Sequence, residues 1–89
     1  MYEFRWNDWN VDHIGKHGVS AHAVEYVVNQ GLPPYPKREG EGKYRVRGQT
    51  RDGHYLQVIY IFSPEDVVYV VHARPLTEAE KRNFRRTQR

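Results

Sequence analysis

The fold is decided by residues 44–74, which read YRVRGQTRDGHYLQVIYIFSPEDVVYVVHAR. Within this stretch, apolar and polar side chains alternate along three runs, and the turn-forming segments RDG and SPED separate the runs. A period of two residues is typical of β-strands, and short polar turns between such strands are typical of hairpins. The stretch therefore predicts an antiparallel meander of three strands.

The turn of the first hairpin determines which residues face each other. A three-residue turn at residues 51–53, with Gly53 in the left-handed conformation, places Val46 opposite Val58 and produces one apolar face. A two-residue turn would pair Arg47 with Val58 and mix polar with apolar partners. Because a shift of one residue moves every side chain to the other face, we predict the three-residue turn.

For the second hairpin we predict a register that pairs Phe62 with Val67 and Val58 with Val71, which continues the apolar face. The opposite face then has an apolar half, which we expect a helix to cover, and a polar half, which we expect to be open. The apolar half comprises Ile59, Ile61, Val68 and Val70, and the polar half comprises Arg45, Arg47, Gln49, Tyr55, Gln57, His72 and Arg74.

The first third of the chain is predicted to form two helices. Asn7 or Asp8 can cap a short helix that runs to about His17, and a glycine follows it at position 18. Ser20 caps a second helix, which has one apolar stripe and ends at Gly31.

The remaining segments complete an α+β fold. Residues 35–43 are polar and contain glycine, so they are either a loop or a ragged edge strand. Thr77 begins a C-terminal helix, with Glu80 as its partner in a capping box. We therefore predict a single domain over residues 1–89, in which two N-terminal helices and a C-terminal helix pack on a small antiparallel sheet.

Composition limits the classes of protein that are possible. The chain has 89 residues, a formal net charge of +3 and no cysteine, which excludes disulfides and thiolate chemistry. It contains neither an apolar run of about 20 residues nor a signal-peptide pattern, so we expect a cytoplasmic protein with no membrane partner. Residues 81–89 contain five basic side chains and no acid, which suits a polyanion or an acidic protein partner unless the segment is only a solvated tail.

The polar half of the sheet carries residues that suit metal-free cleavage of RNA. Arg47 and Arg74 can straddle a phosphate, and His72 beside them can transfer a proton near neutral pH. The simpler interpretation is that the arginines are only solubilising or paired with acids, that Arg74 is structural, and that His72 is an ordinary surface or half-buried histidine. Tyr55 and Gln57 can contact an unpaired base. The candidate RNA-binding residues are Arg45, Tyr55, Gln57, Arg82, Arg85 and Arg86.

Two other patterns have simpler explanations. His13 and His17 have a spacing that can bind zinc on a helix, but no third ligand is evident, so we predict neither a metal site nor a cofactor. The aromatic residues Phe4, Trp6 and Trp9 are interpreted as core packing.

Three segments resemble the BrnT family of type II toxins. The first contains Phe4-Arg5-Trp6-Asn7, then Asn10, and then KHGVS at residues 16–20, which is similar to the opening of the family. The second contains Ala73-Arg74-Pro75-Leu76-Thr77 followed by Glu80, and it is similar to the family's ending. Between them, residues 46–50 with Gly53 and Leu56 resemble the family's central hairpin.

The resemblance implies a fold similar to RelE-type ribonuclease toxins and an antitoxin of the BrnA type as partner. It also implies functional roles for Lys16, His17 and Arg74, which lie within the matching motifs. The chain departs from the common pattern in a shorter spacing between Trp6 and Lys16 and in the alanine that follows Ser20, so we expect a subgroup of the family.

Two functional hypotheses follow. In the first, the chain is a toxin that cleaves RNA without a metal and so inhibits translation, acting on free RNA or at the ribosome. Its site would comprise Arg47 and Arg74 as phosphate clamps, His17 or His72 as the proton-transfer group, and Lys16 assisting. In the alternative, the same basic face is a non-catalytic module that docks an acidic antitoxin, RNA or the ribosome surface.

Overall fold

The computed structural model of the protein describes residues 1–88, and in that range the chain is α+β, with three helices and five strands. In chain order the elements are β1 (Phe4–Arg5), α1 (Asp8–Gly15), α2 (Ala21–Gln30), β2 (Lys37–Gly40), β3 (Lys43–Gln49), β4 (Tyr55–Ser63), β5 (Val67–Pro75) and α3 (Glu78–Thr87). A short 3₁₀ turn over Pro64–Asp66 joins β4 to β5. No helix in residues 1–88 has the length and apolar character that a membrane span requires.

Side chains cap the two N-terminal helices as the sequence predicts. In α1, the side chains of Asn7 and Asn10 each accept a hydrogen bond from the other's backbone N–H, at 3.1 and 2.8 Å. In α2, the Ser20 hydroxyl accepts from the N–H of Ala23, and Gly31 ends the helix in the left-handed conformation. The predicted extent of the first helix is too long, because α1 ends at Gly15 rather than near His17.

The five strands form one mixed sheet in the order β1-β5-β4-β3-β2. The predicted meander is present as β3, β4 and β5. Of the two alternatives for residues 35–43, a loop or a ragged edge strand, the structure shows an edge strand over residues 37–40. Strand β1, parallel to β5, was not predicted. Strand β1 has only two residues, which is too few to show the alternation of polar and apolar side chains typical of a strand. It is held on the sheet by pairing with β5, where the backbone carbonyl of Glu3 accepts a hydrogen bond from the N–H of Val68.

The first hairpin has the predicted register. Val46 lies opposite Val58, and the three-residue turn is closed by a 2.7 Å hydrogen bond from the N–H of Thr50 to the carbonyl of His54. Gly53 has a φ of +95°, a value that side-chain-bearing residues rarely adopt.

The predicted register of the second hairpin is wrong. Phe62 pairs with Val68 rather than Val67, because the 3₁₀ turn takes up residues 64–66 and leaves Ser63 to pair with Val67. A second shift occurs between Tyr60 and Ile59, where Val71 is an extra residue on β5. The extra residue of this β-bulge interrupts the alternation of side chains along β5. Val68 and Val70 therefore share a face before the bulge, and Ala73 lies on that same face after it.

The bulge sets the composition of the two faces of the sheet. Val68 and Val70, which were predicted to lie on the face opposite to Tyr60 and Phe62 under a helix, instead share the face of these residues and are fully buried, and Tyr69 takes the other face opposite Ile61. Beyond the bulge, Ala73 faces inward opposite Val58 as part of the core. We call the face that carries Val58 and Ala73 the inner face, and the opposite face the outer face.

The helices pack around this sheet. Helix α2 contacts β3 and β4 on the inner face, and it approaches so closely that a Cβ atom at Gly48 would lie 3.0 Å from a methyl carbon of Val27. Helix α1 packs against β5. Helix α3 buries Phe84, whose ring lies 6.2 Å from that of Tyr35 and 5.9 Å from that of Tyr55.

Candidate functional site

A row of polar side chains crosses the outer face at the end of the sheet nearest the β3–β4 turn. Arg47 on β3 pairs with Gln57 on β4, which in turn pairs with Arg74 on β5. Cross-strand partners point to the same face, so the register alone places the three side chains side by side. The Nε of Arg47 donates to the side-chain oxygen of Gln57 at 2.9 Å. The sequence prediction that Arg47 and Arg74 share a face is confirmed.

Helix α3 adds a carboxylate to this row. Glu80 accepts two hydrogen bonds from Arg74, at 2.8 and 2.9 Å, and one from Arg47 at 3.3 Å. The hydrogen bonds from Arg74 and from the backbone N–H of Thr77 hold the pKa of Glu80 well below its usual range, and the Glu80 carboxylate raises the pKa of Arg74. The three side chains therefore form a charged cluster with one acid shared between two guanidinium groups.

The expectation that the polar half of the face is open is wrong for this row. Gln57 is buried, and Arg47 and Arg74 are half-buried against Glu80. The reason is that the capping box of α3 turns Glu80 back toward the sheet, where β3 and β5 present their arginines. Phosphate would have to compete with Glu80 for the guanidinium groups, or bind their remaining N–H donors.

Three histidines meet at the next position along the outer face. His72 lies two residues before Arg74 on β5, and its ring centroid is 5.6 Å from that of His17 and 6.4 Å from that of His13. Burial lowers the pKa of His72, and the neighbouring His17, Arg74 and His13 lower it further. A lowered pKa keeps the imidazole neutral near pH 7, where it can accept a proton.

His13 and His17 approach His72 from the end of α1 and from the turn that follows it. Lys16 is the C-cap residue of α1, and His17 follows it in the exposed turn before Gly18, which has a φ of +71°. The structure therefore brings together His17 and His72, the two alternatives for the proton-transfer group. Lys16, which precedes His17 in the sequence, is exposed. Within residues 1–88, no three His, Asp or Glu side chains have an arrangement that could hold a metal ion.

Most of the predicted RNA-binding side chains already have partners within the protein. Arg45 forms an ion pair with Glu39 at 3.2 Å. The ring of Tyr55 lies against Phe84, with the Lys81 ammonium 5.8 Å and the Arg85 guanidinium 5.6 Å from its centroid. Arg82 and Arg86 are exposed on α3, and Arg89 lies outside the described residues.

Sequence reasoning missed three features of the site. Glu80 was recognised as a capping residue and as part of a resembling segment, but no local pattern connects it to arginines 33 and 6 positions away. His13 was considered only as a metal ligand, although it lies in the last turn of α1, four residues before His17. Trp9 was assigned to the core, but more than half of its side chain is exposed.

Comparison with known proteins identifies no relative. No protein-family model matches the chain, and no significant match is found among curated proteins or solved structures.

Proposed function

We propose that this chain is a metal-independent endoribonuclease, the toxin of a type II toxin–antitoxin system of the BrnT kind, with a RelE-like fold. The observation that supports the proposal is the placement of His72 and His17 beside Arg74 on one face of the sheet. The residues of this site supply a neutral base, a second imidazole and guanidinium groups, which are the parts that metal-free RNA cleavage needs.

In the proposed reaction, neutral His72 accepts the proton of the ribose 2′-hydroxyl as that oxygen attacks the phosphorus. His17 donates a proton to the 5′-oxygen as the bond from phosphorus to this oxygen breaks. The products are a 2′,3′-cyclic phosphate and a 5′-hydroxyl, so the reaction requires no water and no metal. Arg74 stabilises the charge that develops on the phosphate oxygens, and the exposed ammonium of Lys16 assists it.

Glu80 has a positioning role in this proposal. By accepting hydrogen bonds from both Arg47 and Arg74, it holds two like charges next to each other before RNA arrives. A phosphate can then use the guanidinium N–H groups that Glu80 leaves unbonded, since each guanidinium has five donors. Preorganised donors stabilise a transition state more than mobile ones do.

Cleavage of a short RNA by the purified chain in excess EDTA tests the proposal. We expect cyclic-phosphate ends from the wild type and a rate about 10²–10³-fold lower for Arg74→Ala, the usual scale for loss of one transition-state donor. Arg38→Ala is the matched control, since Arg38 is exposed on β2 and its loss changes the net charge equally. Thermal unfolding of each variant separates lost chemistry from lost structure.

Two outcomes would contradict the proposal. Equal rates for the wild type and a folded Arg74→Ala would remove Arg74 from the reaction. Absence of cleavage on both free RNA and translating ribosomes would remove the enzyme hypothesis itself.

A non-catalytic docking module is the second candidate function. It is favoured by the ion pairs of Glu80, because they already neutralise the two arginines that would otherwise bind phosphate. In this case exposed basic residues of α3, such as Arg82 and Arg86, would contact an acidic antitoxin of the BrnA type, RNA or the ribosome in the cytoplasm. Toxicity on expression that survives His72→Ala and His17→Ala would favour docking over catalysis.

A further inference from the structure

Trp9 is the one aromatic residue of the N-terminal cluster that does not join the core. Phe4 and Trp6 pack against the core, and the indole N–H of Trp6 donates to Glu25 at 2.7 Å. The side chain of Trp9 is 54% exposed, although it lies on a helix whose other side is buried at Asn10 and Ile14. An exposed indole ring offers a flat apolar surface on which another aromatic ring can stack.

The ring of Trp9 is held in place from within the protein. It stacks on the ring of His13, with the centroids 4.6 Å apart and the planes 10° from parallel. The ring of Tyr69 lies 6.4 Å away at an angle of 20°, and its hydroxyl donates to the side-chain oxygen of Asn7 at 3.3 Å. The Trp9 side chain is therefore already fixed before a ligand stacks on it, and binding would not have to offset the entropy of ordering this side chain.

This stack continues directly into the histidine cluster. The ring of His13 is stacked on that of Trp9, and its centroid lies 6.4 Å from that of His72. The line of rings thus runs from Trp9 through His13 to His72, which neighbours Arg74. A single-stranded nucleic acid whose phosphate lies at the arginines can place a base one or two nucleotides further along at Trp9.

We infer that Trp9 is a stacking platform for an unpaired nucleobase of single-stranded RNA bound at the histidine–arginine site. The inference rests on the proposed function and adds a binding subsite to it. Every base has an aromatic face, so one indole ring can bind any of them by stacking.

The charges around Trp9 favour a base over an acidic peptide. Asp8 precedes Trp9, and Asp12 follows it by three residues, which places this second carboxylate next to it on the helix surface. Two carboxylates repel an acidic segment of a protein partner, and they also repel the phosphates of a strand, so the part of the strand at Trp9 would be an uncharged base with its phosphates directed away from α1. Arg74, which neighbours His72 at the far end of the line of rings, is the cation at which a phosphate would lie.

Binding of a strand that cannot be cleaved tests this inference. An eight-nucleotide 2′-O-methyl RNA with a fluorescent end label has no 2′-hydroxyl to react, so fluorescence anisotropy reports binding alone. We expect Trp9→Ala to weaken binding about 5- to 150-fold, because stacking of one base contributes about 1–3 kcal/mol. Trp9→Phe should retain most of the affinity. Val11→Ala, which removes another exposed apolar side chain from α1, should have no effect.

A series of oligonucleotides with one abasic position identifies the stacked base. At one position, removal of the base should abolish the difference between the wild type and Trp9→Ala, because the two changes remove the same contact. Wild-type affinity in Trp9→Ala, or a loss that is equal at every abasic position, would overturn the inference. So would a wild type that does not bind the strand.

The two proposals fail in different experiments. If the chain binds the strand through Trp9 but never cleaves RNA, the enzyme proposal fails and the subsite remains. If Trp9→Ala affects only the capture of an acidic protein partner, the surface belongs to that partner and the inference is wrong.

Discussion

Replacing Glu80 with glutamine removes the charge that α3 places between the two arginines and leaves the size of the side chain unchanged. Glutamine can still accept a hydrogen bond from the backbone of Thr77, so the capping box of α3 is kept. The substitution therefore isolates the contribution of the ion pairs with Arg47 and Arg74 from that of the helix cap.

The magnitude follows from the geometry of the pair. Hydrogen bonds to charged groups contribute about 1.5–3 kcal/mol when they are shielded, and exposed ion pairs contribute about 0.2–1 kcal/mol. Glu80 is 21% exposed and contacts Arg74 through both oxygens, which places it between these limits. We expect Glu80→Gln to lower the free energy of unfolding by about 1–2 kcal/mol, and to lower Tm by about 5–15 °C for a domain of this size.

Acid should remove this difference. The arginines hold the pKa of Glu80 below its ordinary value of 4.5, so the folded state favours the carboxylate more than the unfolded state does. Its stabilising contribution is complete above pH 4.5 and is lost as the pH falls through the folded-state pKa. Urea denaturation of the wild type and Glu80→Gln should thus give a gap that is constant from pH 7 to pH 5 and narrows below that range.

Glu80→Ala is the matched comparison for the cap. It removes the ion pairs and the capping box together, so we expect about 0.5–1 kcal/mol of further destabilisation. The reasoning is refuted if Glu80→Gln is as stable as the wild type at pH 7, or if the gap between them does not change on acidification.

Three further predictions concern packing, a buried amide and pH. Gly48→Ala should lower the free energy of unfolding by about 1–3 kcal/mol in urea denaturation, because the new Cβ would lie 3.0 Å from Cγ1 of Val27. An unchanged urea midpoint would contradict this prediction, because it would mean that α2 moves away from the new Cβ with no loss of stability. Asn10→Ala should lower it by about 2–4 kcal/mol in the same assay, since the fully buried amide bonds the backbone of residues 5 and 7, and a loss below 1 kcal/mol would contradict this. The folded protein lowers the pKa of His72 below its ordinary value of 6.5, so His72 binds protons more readily in the unfolded chain than in the folded one. The free energy of unfolding should therefore fall as the pH drops from 6.5 toward the folded-state pKa of His72. An NMR titration of His72 with a midpoint at or above 6.5 would exclude this contribution.

The strands and caps were predictable because their causes are local. The three-residue turn that ends at Gly53 follows from the residues of the turn and from the alternation on either side of it. Ser20 and Thr77 cap their helices through hydrogen bonds to residues only three positions away. Such contacts depend on short stretches of chain, which a sequence displays directly.

The register of β5 was not predictable in the same way. Val67–Val71 contains five consecutive residues of which four are valine, so its pattern does not distinguish one face from the other. The choice was made by the 3₁₀ turn before this run and by the bulge at Val71, which together place Val68 and Val70 in the core. A run of similar side chains leaves the register to the packing that surrounds it.

By itself, therefore, the sequence determined the α+β class, the meander, the helix caps and the shared face of Arg47 and Arg74. Only the tertiary structure decided that Glu80 lies between these arginines, that His17 reaches His72, and that Trp9 stays exposed. These contacts join residues of separate elements, and they depend on how α1 and α3 dock on the sheet. The physical reason is that docking is set by the summed packing of many side chains, which no local pattern records.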